Sequence, residues 1–136
     1  MNDLRVILPL PRYEGPNGRS HYRLKNQQAK ADKLLALSEG RVDPGTQPMT
    51  CVAVIIDWYC ATNRMLDVDN ALGRCKYFID GLTHAGWWID DRVIRQTTIR
   101  RWLPGEAAGF KGRVIITARA TDPDSLRLVE IEPAHG

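Results

Sequence analysis

A chain of 136 residues, 43% apolar and 26% charged, can close one hydrophobic core without disulfides or a structural metal, which excludes a disordered segment. Its 19 basic and 16 acidic residues leave a net charge of +3, a balance too even to name a partner by itself. No apolar run approaches the ~20 residues of a membrane span, the N-terminus lacks a secretory pattern, and Cys51, Cys60 and Cys75 lack C-x-x-C spacing, so a reducing, cytoplasmic setting is expected and a zinc site is not.

In chain order, Leu4–Leu10 reads as a strand closed by Pro9 and Pro11, and a polar loop with Gly15, Pro16 and Gly18 follows. Lys25–Glu39 has helical spacing, with Ala29, Leu34, Leu35 and Leu37 on its buried side and Gly40 as the stop. Cys51–Cys60 alternates Val52, Val54, Ile56 and Trp58 along one strand face. Asn70–Ala85 is a second helix closed by Gly86, and Val93–Leu103 and Arg113–Ala120 are two further strands. The order βαβαββ predicts one small α+β domain over 1–136, with a mixed sheet of about four strands and two helices. Residues 121–136 read as a loose acidic tail.

Charge is laid out unevenly along this frame. Arg12, Arg19, Arg23, Lys25, Lys30 and Lys33 form one basic block, and Arg92, Arg95, Arg100, Arg101, Lys111, Arg113 and Arg119 a second. Between them, Asp57 to Asp91 holds six aspartates and no glutamate. Basic side chains that hold phosphates, flanking short carboxylates that hold a hard cation, are what a metal-dependent nuclease needs. The same layout also suits a solvated surface of mixed charge.

Asp67-Val68-Asp69-Asn70 is the most informative segment. In extended backbone Asp67 and Asp69 point to one face, and Asp69 or Asn70 suits the cap of the following helix. Paired carboxylates repel unless a cation neutralises them, and all-oxygen ligands favour Mg²⁺ or Mn²⁺. A simple capping turn accounts for the same residues equally well. On the helix, Ala71, Leu72, Cys75, Phe78, Ile79 and Leu82 share an apolar arc, while Asp69, Gly73, Lys76 and Asp80 share another stripe. Lys76 therefore leans back toward the carboxylates, or else pairs with Asp80 one turn on. Asp90-Asp91, entering the third strand, can join Asp67 and Asp69 or serve as an ordinary acidic turn.

Asp67-Val-Asp-Asn70, followed by Lys76-Tyr-Phe-Ile-Asp80-Gly-Leu-Thr-His-Ala-Gly-Trp-Trp-Ile-Asp-Asp91, resembles the RusA-type Holliday junction endodeoxyribonucleases. Leu8-Pro-Leu-Pro11 and Ser20-His-Tyr-Arg23 are similar to that family's first strand and polar loop. The resemblance spans roughly residues 4–120 and is dense over 67–91. It implies a phage- or prophage-type resolvase with a RusA-like fold, a homodimer that cuts four-way DNA junctions with Mg²⁺ or Mn²⁺. The essential carboxylates carry over to Asp67, Asp69 and Asp91, with Asp90 as neighbour, and the catalytic lysine to Lys76. The family pattern places that lysine four residues after the second aspartate, where Gly73 stands here. Three extra residues, either inside the helix or in the loop before it, account for the offset.

On this reading Arg12, Arg19, Arg23, Lys25, Arg92, Arg95, Arg100 and Arg101 are candidates for backbone phosphates of branched DNA. Trp58, Trp87, Trp88 and Trp102 are core or dimer contacts, with wedging or stacking against junction bases as the lesser alternative, and the Trp87-Trp88 region or the third strand is the expected dimer surface. Two alternatives are a catalytically inactive junction-binding accessory protein of the same fold and a small-molecule phosphatase. The basic blocks disfavour the phosphatase.

Overall fold

The computed structural model describes residues 3–107 and 109–126, so residues 127–136 of the expected tail lie outside it. Four strands, β1 (Leu4–Pro9), β2 (Val52–Tyr59), β3 (Ile94–Trp102) and β4 (Arg113–Ala120), form one mixed sheet in the order β1-β4-β2-β3. β4 lies antiparallel to both β1 and β2, and β3 lies parallel to β2. A parallel neighbour requires a crossover, and the helical segment between β2 and β3 supplies it. The α+β mixed sheet expected from the sequence is the fold observed.

Alternation decides which face is covered. Val6 and Leu8 from β1, Val54 and Ile56 from β2, and Val114 and Ile116 from β4 share one core with Ala36, Phe78 and Leu82, so the helices pack on a single face of the sheet. Each large side chain fully buried there, such as Trp88, Phe78, Leu8 or Ile56, contributes roughly 1.5–3 kcal/mol. Trp58, Trp87 and Trp88 are all core residues. Trp87 Nε1 donates to the Gly40 carbonyl at 2.6 Å, and Trp88 Nε1 to Thr83 Oγ1 at 2.6 Å. The Trp87-Trp88 pair is therefore unavailable as a dimer surface, whereas β3, paired only with β2 in the sheet, remains at an edge.

The first helix, α1, spans Tyr22–Glu39. It starts ahead of Lys25 because the His21 ring accepts the Arg23 amide at 3.3 Å and caps the first turn. Its buried residues are Ala29, Asp32 and Ala36, while Leu34 is 54% exposed. Small residues line that side because the next helical segment approaches closely. A Cβ on Gly81 would collide with the Lys33 carbonyl.

The expected helix over Asn70–Ala85 is broken in two: α2 (Val68–Arg74) and α3 (Lys76–His84). At the break the Cys75 amide is shared between the Ala71 and Leu72 carbonyls, at 3.3 and 3.1 Å, a local tightening of the helix. The Cys75 side chain is fully buried and pins this joint to the core. Burial and the nearby Asp32 charge push its thiol pKa up to about 12. Among the described residues no helix is long and apolar enough to cross a membrane.

Candidate functional site

The Asp67–Asp69 turn is set by β3. Beyond β2, the Cys60 amide donates to the Trp102 carbonyl at 2.8 Å, and Arg101 Nη1 donates to the Leu66 carbonyl at 3.1 Å. Asp67 then takes an extended conformation as the N-cap of α2, and its Oδ1 accepts the Asn70 amide at 3.2 Å. The cap is thus Asp67 rather than Asp69 or Asn70. Asp69 lies in the first helical turn, where the helix dipole favours a negative charge, so strand alternation does not relate the two carboxylates. Both are exposed.

The residues between Asn70 and Lys76 lie inside the helical segment rather than in a loop before it. Gly73 does not take a positive φ. A Cβ placed there would stand 3.3 Å from Pro16 Cδ, so the glycine admits the polar loop against α2. Lys76 opens α3, with its ammonium 5.4 Å from the Tyr77 ring centroid. A cavity of about 350 Å³ is lined by Leu72, Gly73, Lys76, Asp80, Asp91 and Thr97, among others. Gly73, Lys76 and Asp80 share it as their stripe predicts. Asp69, on the same stripe but one turn earlier in the exposed first turn of α2, does not line it. Leu72, expected in the apolar arc, is 43% exposed at the cavity. Asp80 is a cavity residue outside the expected catalytic set, and its place one turn after Lys76 is the signal for it.

Asp90 and Asp91 have different jobs. Asp90 caps a short 3-10 turn (Asp91–Val93), accepting the Arg92 amide at 2.9 Å, and pairs with Arg92 Nη2 at 3.2 Å. These bonds hold its carboxyl well below the usual range. Only a protonated Asp91 can donate to Asp90, and this, with the charges of Asp90 and Asp80, pushes the Asp91 pKa above its ordinary value. Asp90 is committed to Arg92, and Asp91 is the carboxylate at the cavity. Among the described residues no three Asp, Glu, His or Cys side chains are gathered closely enough to hold a metal ion, so the expected set of Asp67, Asp69 and Asp91 is not closed. The donor chemistry nevertheless suits Mg²⁺ or Mn²⁺. The groups are hard oxygens, and the repulsion at Asp80, Asp90 and Asp91 is of the kind a cation relieves.

The basic candidates divide by strand geometry. Arg100 and Arg101 are adjacent on β3 and point to opposite faces. Arg100 lies on the face away from the helices and binds Asp57 through Nε and Nη2, at 2.7 and 2.8 Å. Trp102 Nε1 donates to the same carboxylate at 2.9 Å. Asp57, counted with the acidic island, is therefore a buried structural residue. Arg100, Arg101 and Arg92 all spend hydrogen bonds within the protein, while Arg95 is exposed beside an irregularity in the β2–β3 register. In the first block, Arg12, Arg19 and Arg23 are exposed and Lys25 Nζ donates to the Pro16 carbonyl at 3.4 Å. Asp32 accepts the Arg12 and Tyr13 amides at 3.0 and 2.9 Å, which ties this loop to α1 while Pro16 rests on α2.

A second cavity, of about 300 Å³, lies behind the Asp67 turn. Arg64 and Arg74 line it together with the end of β2 and the following loop. A scan against known protein families and a search of curated proteins find no match for the chain.

Proposed function

We propose that the chain is a divalent-cation-dependent endonuclease of the RusA type, resolving four-way DNA junctions by paired phosphodiester hydrolysis in recombination and repair. The observation that supports this best is the cavity shared by Lys76, Asp80 and Asp91, walled in part by α2, the helix that Asp67 caps. Asp67, Asp69 and Asp91 would hold Mg²⁺ or Mn²⁺, which when bound would polarise a phosphate oxygen and acidify a water molecule. Lys76 lies on the wall of the cavity and neutralises charge developing on the phosphate. Asp90 is fixed by Arg92 and sets the charge beside Asp91. Arg12, Arg19, Arg23 and Arg95 meet backbone phosphates. Paired cuts in a nearly two-fold substrate call for two sites, hence a C2 homodimer, with the edge strand β3 as its surface. The setting is the cytoplasm.

A second reading is an inactive junction-binding accessory protein, and the unclosed carboxylate set favours it. Incubation of labelled four-way junctions with and without Mg²⁺ separates the two. Symmetric nicks that require the cation support the nuclease. Junction binding without nicks in either Mg²⁺ or Mn²⁺ overturns it.

A further inference from the structure

The cavity behind the Asp67 turn has a character of its own. Its lining includes Trp58, Cys60, Thr62 and Leu66, two arginines, Arg64 and Arg74, and no carboxylate. Among the described residues neither guanidinium makes an ion pair. Arg74 Nε is fully buried and has no hydrogen-bond partner. A buried N–H without an acceptor is rare in folded proteins and calls for one. The C-terminal end of α2 favours a cation at Arg74, but no carbonyl there accepts from Nε. Its Cγ runs past Gly15, 3.7 Å from where a Cβ on that residue would stand.

We infer that this cavity is an anion site for a phosphate group, held by Arg74 from within and by Arg64 from its exposed side. Guanidinium forks match phosphate oxygens in charge and in geometry. Two positive side chains with no carboxylate between them leave a site that a neutral or cationic ligand does not satisfy. The phosphate comes either from a DNA backbone or from a free phosphate monoester, and both present the same oxygens. The site is independent of the cation chemistry at Asp91 and does not need the chain to be a nuclease.

The Nε–Hε resonance of Arg74, followed by NMR, reports on the orphaned atom. Titration with inorganic phosphate should shift it saturably, while sodium chloride at matched ionic strength leaves it in place. Arg64→Gln should weaken phosphate binding at least tenfold. Arg74→Gln, followed by the Arg64 Nε–Hε resonance, should do the same. If Arg74→Gln fails to fold, Arg64→Gln still decides the matter. A four-way junction without terminal phosphates that shifts the resonance identifies the backbone as the source. A shift with thymidine monophosphate but not with the junction identifies a free monoester. Asp91→Asn should bind phosphate here as the parent does, whether or not the parent cuts DNA. An Arg74 resonance unmoved by every phosphate probe, or moved equally by chloride, overturns the inference.

Discussion

Asp32 and Asp57 are buried, and every carboxylate oxygen in the pair is engaged. Backbone amides of the polar loop bind Asp32, and Arg100 and Trp102 bind Asp57. Asp67, Asp69 and Asp91 lie at the surface with far fewer partners. Asp67 accepts one amide, Asp91 leans on a second carboxylate, and Asp69 has no hydrogen bond among the described residues. A buried charge persists only where partners replace its water. An exposed carboxylate left with open lone pairs is under no such constraint and is free to take a cation. The fold thus sorts one acidic composition into structural and available groups.

The two groups of aspartates differ most in function. Asp67→Asn and Asp91→Asn should each lower cation-dependent nicking at least 10²-fold, and Lys76→Ala by about 10²–10³-fold, the usual scale for losing one electrostatic stabiliser. Stability should change by less than about 0.5 kcal/mol, since asparagine caps a helix as well as aspartate does. Single-turnover nicking and denaturant melts on the same samples check both halves.

Asp57→Ala should behave in the opposite way. Breaking a fully buried ion pair costs about 3–5 kcal/mol, but the Arg100 side chain is 53% exposed and can turn to water, so about 2–3 kcal/mol is expected. Urea unfolding measures the loss, and nicking per folded molecule should be unchanged.

A smaller effect distinguishes Asp90 from Asp91. The Asp91 pKa is raised above 3.8, chiefly through its hydrogen bond to Asp90, so its ionised form is gained only as pH rises through that higher value. Asp90→Leu removes both the acceptor and its charge, and the acid limb of the nicking rate should move to lower pH. A limb that stays in place assigns the titration to another group.

The strands were legible because alternating Val and Ile mark a half-covered sheet without ambiguity, and β4 runs over Arg113–Ala120 as expected. The break at Cys75 was not, since Ala71, Cys75, Phe78 and Leu82 keep helical spacing across it and no proline marks it. Asp67, Asp69 and Asn70 are all good caps, so only the backbone path out of β2 chooses among them. The buried side of α1 escaped hydropathy because it is made of alanines and a carboxylate, drawn in by the close approach at Gly81. Arg100 looked free because its partner is 43 residues away in the chain, and only the β2–β3 register brings Asp57 opposite it. Of the residues expected in the site, Lys76 and Asp91 line one cavity and Asp69 does not.

The claim that the available aspartates are the cation ligands is tested most directly by Mn²⁺ affinity, with free Mn²⁺ followed by electron paramagnetic resonance. Losing a ligand should cost at least the roughly 10–100-fold seen when only its orienting partner is lost. Asp69→Asn and Asp91→Asn should therefore bind Mn²⁺ at least tenfold more weakly than the parent, while Asp57→Asn binds it equally well. Equal affinity in all four proteins, or a loss confined to Asp57→Asn, would contradict the account.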